Sequence, residues 1–157
     1  MLGTLESLPT SDQDWSFRGC AVPYRQTSRT LYDRARPYKE KFEPRALNWS
    51  DSTVMLMQHD QSGVPLARVG SGTIEFYEDE RGLMFRCNLP ESRSDIREAL
   101  ERGDLDGSVS IGFQCDDDDW MHTKTTSLRT VRKARLVELS IVTAGAYAGA
   151  RGSMKES

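Results

Sequence analysis

Apolar residues recur along this chain in short runs, most often with a period of two. From Ser108 to Gln114, Val109, Ile111 and Phe113 alternate with Ser108, Ser110 and Gly112, the pattern of a half-buried strand with its apolar side on a core. Arg135 to Thr143 repeats it, setting Val137, Leu139 and Ile141 against Glu138 and Ser140, so a carboxylate and a hydroxyl share the opposite side. Val54 to Gln58 is a compact apolar run that leads into His59, Asp60, Gln61, Ser62 and Gly63, residues of turn composition. Thr73 to Tyr77 and Leu83 to Leu89 flank the charged connection Glu78 to Gly82, which predicts a hairpin. Trp15 to Tyr24 reads as a further short strand. One helix is expected after Pro90, capped by Ser94 or Asp95, with Ile96, Ala99 and Leu100 on one face and Gly103 as its stop. The charged stretch from Arg25 to Glu43, punctuated by Pro37 and Pro44, reads as a long surface connection. Residues 144 to 150, rich in Ala and Gly around Tyr147, fit either a helix start or a close-packed turn. The pattern alone gives an α+β protein.

Composition narrows this to one folded unit. A chain of 157 residues, 37% hydrophobic and 29% charged, can bury a single core and is not disordered overall. Polar residues 1 to 15 and the small, charged residues 151 to 157 are expected to be flexible ends. A net charge of -3 supplies no basic field for nucleic acid. Cys20, Cys87 and Cys115 have neither zinc-site nor disulfide spacing and read as reduced thiols. No signal segment and no run approaching roughly 18 apolar residues is present, so a soluble, cytosolic chain without a membrane partner is expected.

The candidate chemistry centres on a serine and a histidine. The histidines are His59 and His122. His59 falls at a strand end beside turn residues, where a rigid sheet can hold a side chain open to substrate; the same position suits an ordinary solvated histidine. His122 stands between four aspartates and Lys124, Thr125 and Thr126, in what reads as a surface loop. Ser110 lies between Gly107 and Gly112, which leave backbone room near its hydroxyl; an edge strand would carry such a serine equally well. A serine becomes a nucleophile when a base takes its proton and a third group fixes that base. Glu138 and Asp60 are both candidates for the third group. Asp116 to Asp119 lack the spaced ligands of a calcium loop and read as a solvated run, so no metal and no cofactor is expected. Arg129, Arg132, Lys133 and Arg135 read as a solvated strand entry or a surface for an acidic partner.

Five segments in order resemble the prohead proteases of tailed phages, a family related in fold to the herpesvirus capsid protease, assemblin. They are Gly19 to Tyr24, Phe42 to Leu47, Met57-Gln58-His59-Asp60, Gly103 to Phe113, and Leu136 to Thr143 followed by Ala146-Tyr147. Arg45 replaces a usual glycine, and Gly145 stands where the family often has proline. The resemblance implies His59 as base and Ser110, two residues before Gly112-Phe113, as nucleophile, with Ser108 the competing choice. It carries Glu138 over as third triad member, with Asp60 as rival. Backbone amides near Ala144 to Ala148 are suggested as oxyanion donors.

It further implies a small, mostly antiparallel β-barrel-like core surrounded by a few helices, forming a protease domain over residues 16 to 150. The implied activity is that of a serine endopeptidase cleaving scaffold and capsid protein, and itself, inside assembling procapsids in the host cytoplasm. Those proteins would be its partners, alongside self-association. A catalytically inactive scaffold or capsid-assembly protein on the same fold is the alternative.

Overall fold

A computed structural model describes residues 14–155. Residues 1–13 of the expected N-terminal segment, and 156–157, lie outside the described residues. The elements in chain order are β1 (Phe17–Pro23), β2 (Leu31–Asp33), β3 (Arg36–Phe42), β4 (Leu47–Asn48), β5 (Val54–Met57), β6 (Ala67–Arg68), β7 (Ile74–Asp79), β8 (Gly82–Cys87), α1 (Ser94–Arg102), β9 (Val109–His122), β10 (Ser127–Ile141) and β11 (Arg151–Met154), with a short 3-10 turn at Val69–Ser71.

Two open sheets result. The smaller runs β11-β1-β8-β7 and is antiparallel throughout. The larger is built on β10. Its one edge pairs in parallel with β3, then β4, then β5 along its length, while its other edge pairs antiparallel with β9. β2 and β6 extend this sheet outward from β3 and β5. The expectation of a barrel-like core surrounded by a few helices is therefore corrected. Most pairings are antiparallel. A single antiparallel bridge, Ser108 with Arg151, joins the entry to β9 with β11, but the two sheets stay separate rather than closing; α1 is the one α-helix among the described residues. Closure requires each edge strand to find a partner, and here the sheets instead share one cluster of buried side chains, Phe17, Val22, Leu83 and Phe85 meeting Phe42, Met55, Leu139 and Ile141.

The hairpin of β7 and β8 forms at the charged connection that predicted it, with a tighter turn, since the strands run to Asp79 and from Gly82; β1 and β5 lie where short strands were expected. In α1, Ile96 is buried and Gly103 takes the left-handed conformation that ends the helix (φ 85°). The capping expectation fails: Ser94 is the first helical residue, and Arg93 before it makes no side-chain cap.

Four stretches differ from expectation. Arg25 to Glu43 contains β2 and β3, joined at Arg34 (φ 50°) and Ala35 (φ 71°) by a tight hairpin turn without glycine. Tyr38, Glu40 and Phe42 form the inward face of β3, and the polar Glu40 masks the alternation. Residues 151–154, expected as a flexible tail, form β11, whose Gly152 pairs with Gly19 of β1. Trp15, placed in the flexible N-terminal segment, is buried. Finally, β9 and β10 continue well past the predicted strands, bringing Asp116 to Asp119 alongside β10, within diagonal reach of its arginines. Arg129 pairs with Asp118 at 2.8 Å, Arg132 with Asp117 at 3.0 Å and with Asp119, and Arg135 with Asp116 at 3.3 Å. The acidic run and the basic cluster are thus two sides of one cross-strand ladder.

Candidate active site

β10 sets the site through a change of parity. The ladder with β9 is irregular between Leu136 and Glu138, so Leu136 is buried while Val137 is 37% exposed. Such a bulge re-aims the side chains that follow it. Glu138 and Ser140 come to stand opposite Gly112 and Ser110 of β9, and both are covered, at 3% and 0% exposure. The alternation expected to set Val137 beside Leu139 and Ile141 is broken at this point.

β5 delivers the histidine. It runs parallel to β10 with Met57 beside Ile141, and the Gln58 amide donates to the Ile141 carbonyl at 2.9 Å. The chain then reverses. The Asp60 amide donates to the Met57 carbonyl at 3.0 Å, with Gln58 (φ 53°) and His59 (φ 58°) both left-handed. Non-glycine residues in this region cost on the order of 1–3 kcal/mol each, and such strain persists only where surrounding bonds hold it. Here the bonds are explicit. The His59 amide donates to Ser140 Oγ at 2.9 Å, while the Gln58 side chain accepts from the Thr143 amide at 3.1 Å and donates to Thr143 Oγ1 at 3.3 Å.

The imidazole is thereby placed over β10, with Nδ1 2.5 Å from Glu138 Oε2. The other carboxylate oxygen, Oε1, accepts from Ser140 Oγ at 2.7 Å. A buried carboxylate is tolerable when both oxygens are engaged, and Glu138 meets that condition. His59 is 43% exposed at its side chain and makes no hydrogen bond through Nε2 among the described residues. Ser110, half-buried on β9, has a hydroxyl without a hydrogen-bond partner among the described residues. Both line one cleft of about 570 Å³, together with Val109 to Phe113, Val142 to Ala144, and Ala146 and Tyr147.

The other candidates lie elsewhere. Asp60 is exposed and accepts from the Ser62 hydroxyl at 2.6 Å and the Ser62 amide at 2.9 Å; these bonds hold its carboxyl below the ordinary aspartate range. Ser108 donates its amide to Asp106 Oδ1 at 2.9 Å and does not line the cleft. His122 bonds Ser127 at 2.7 Å and stacks on Trp120, twelve residues along β9 from Ser110, or roughly 40 Å at strand spacing.

The glycines also make room for other parts of the fold. A methyl group at Gly112 would lie 2.6 Å from Glu138 Oε2, and one at Gly107 (φ 90°) would lie 2.4 Å from the Gly152 carbonyl. Gly112 makes room for the carboxylate and Gly107 for β11. Arg45, in the usual place of a glycine, is left-handed at φ 66°.

The far wall of the cleft was missed in the sequence. It holds Arg29, Tyr38, Glu40 and Arg129. Glu40 is 4% exposed, accepts from Tyr147 at 3.0 Å and pairs with Arg129 at 3.3 Å; burial holds its carboxyl above the usual range. The one sequence signal was the period-two spacing of Tyr38, Glu40 and Phe42.

A family model of the caudovirus prohead serine proteases matches residues 4–157. The chain belongs to that family. Its activity, in general terms, is that of a serine peptidase in prohead maturation. Membership in the prohead protease family carries no statement about the herpesvirus enzyme. No curated protein and no solved structure gave a match. Among the described residues no helix is long and apolar enough to cross a membrane.

Proposed function

We propose that this prohead protease is an endopeptidase in which Ser110 is the nucleophile, His59 its general base and Glu138 the orienting carboxylate. The observation that carries the reading is the His59 Nδ1 to Glu138 Oε2 contact of 2.5 Å on the wall of the cleft that Ser110 also lines. A carboxylate at Nδ1 holds the imidazole in the tautomer whose Nε2 accepts a proton.

Ser110 Oγ attacks the scissile carbonyl as its proton passes to His59 Nε2. That proton then goes to the departing amine, leaving an acyl-serine. Water, deprotonated by the same imidazole, hydrolyses the ester and regenerates Ser110. Glu138 stabilises the imidazolium formed in each half. Amides between Ala144 and Ala148 are the candidate oxyanion donors; those of Ala144, Gly145 and Ala146 make no hydrogen bond among the described residues. One such donor is worth about 2.7–4 kcal/mol in the transition state.

The path of the substrate follows from the backbone of β9. Five consecutive residues, Val109 to Phe113, line the cleft, so it runs along the strand edge as well as over one face. The Val142 amide donates to the Ser108 carbonyl at 3.0 Å, and the Val109 amide turns the other way, to Ala150, at 3.1 Å. By alternation Ile111 also directs its N–H and C=O away from β10, onto an edge with no strand partner there. An extended peptide adding at this edge would bring its carbonyl beside Ser110. Scaffold and capsid proteins of the prohead are the proposed substrates, with processing of the protease itself a further reaction.

Co-expression with the neighbouring capsid and scaffold proteins, wild type against Ser110→Ala, tests the assignment. Processing is expected to cease in the variant; unchanged processing refutes Ser110 as nucleophile.

A further inference from the structure

Ser140 lies outside the proposed triad yet touches two parts of it. Its Oγ accepts from the His59 amide at 2.9 Å and donates to Glu138 Oε1 at 2.7 Å. It also stands directly opposite Ser110 on the neighbouring strand, where facing Cβ atoms are about 4.5–5.5 Å apart. At 0% exposure the hydroxyl itself is kept from solvent.

We propose that Ser140 is a positioning residue that locks base to acid, fixing the backbone of His59 and the carboxylate plane of Glu138 through one hydroxyl. This rests on the protease reading for its catalytic consequence but not for its geometry. The left-handed turn at Gln58 and His59 makes this bond necessary. An amide there needs an acceptor, and the strand partner has a side chain, rather than a carbonyl, in place to supply it. The hydroxyl then spends its own proton on Oε1, which has no other donor among the described residues. With Oε1 held, Oε2 keeps a single orientation toward Nδ1. Without Ser140 Oγ, the His59 amide and Glu138 Oε1 both lose their partner. Each can then rotate or shift, and a misplacement of about 1 Å can cost up to about 100-fold in rate.

The test uses the full chain and a fluorophosphonate that labels nucleophilic serines, with the maximal inactivation rate and the half-saturating concentration measured separately. Ser140→Ala is expected to lower the maximal rate roughly 10- to 100-fold with little change in half-saturation, while Ser140→Thr, which keeps the hydroxyl, retains most of the rate. Proton NMR supplies a readout independent of activity. The His59 Nδ1 proton should resonate far downfield in wild type, vanish in Glu138→Gln, and move or broaden in Ser140→Ala. An unchanged resonance together with a rate within twofold of wild type overturns the proposal. If wild type is not labelled at all, the nucleophile assignment fails, and the resonance still decides the role of Ser140.

Discussion

Gly112 faces Glu138 across the β9–β10 ladder so closely that a methyl group on it would lie 2.6 Å from Oε2 and 3.1 Å from Cδ. The carboxylate occupies the space a side chain would need. Gly112→Ala should therefore displace Glu138 from His59 and destabilise the fold by about 1–3 kcal/mol, the usual cost of overpacking. Thermal unfolding and serine labelling check the two effects; a variant that keeps both stability and labelling rate would show that Glu138 can move freely.

Glu138 and Asp60 make opposite predictions. Glu138→Gln keeps the shape but removes the charge and, with its amide oxygen on Ser140, turns an NH₂ donor toward Nδ1 and favours the wrong tautomer, so loss of turnover on the order of 10⁴-fold is expected. Asp60→Asn, in an exposed turn bonded to Ser62, should change turnover by less than about threefold, as surface substitutions away from a site do. Processing assays on the two variants decide between them.

Acid should loosen the loop leading into β9. Hydrogen bonds from Ser108, and then from Arg151 of β11, pull the Asp106 carboxyl down to about 2, against 3.8 for the free group. A carboxyl with a depressed folded-state value contributes stability above 3.8 and loses it as pH falls toward 2. Asp106 is solvent-accessible, so the contribution is modest. In stability measured against pH, the wild type should fall more steeply than Asp106→Asn between about 4 and 2, with the two curves converging at the acid end.

The turn between β2 and β3 offers a stabilising change. Ala35 holds φ 71°, which a glycine adopts without steric cost. Ala35→Gly should raise stability by about 0.5–1 kcal/mol after the entropy of glycine is subtracted, seen as a higher Tm with processing unchanged.

Legibility in the sequence tracked locality. The β7–β8 hairpin, β5 and the Gly103 helix stop are written in residues adjacent in the chain, and there short apolar runs and turn chemistry matched the fold. Expectation failed where a polar residue sits inside, as with Glu40 in β3, or where a left-handed turn has no glycine, as at Arg34 and Ala35. It failed again at Val137, because a bulge is a property of two strands together and leaves no mark in one. The aspartate and arginine runs read separately as solvated charge, since their pairing depends on a hairpin register.

By itself the sequence determined the candidate residues, the ordered segments that resemble the prohead proteases, and the strands whose period could be read. It could not choose between Glu138 and Asp60 beside His59, and it did not show that Gly112 makes room for the carboxylate. Tertiary structure alone placed Glu138 at Nδ1, because 79 residues separate it from His59 and only the parallel pairing of β5 with β10 brings them together. The same pairing set Ser140 between them, and the bulge at Val137 turned both onto the covered face opposite Ser110.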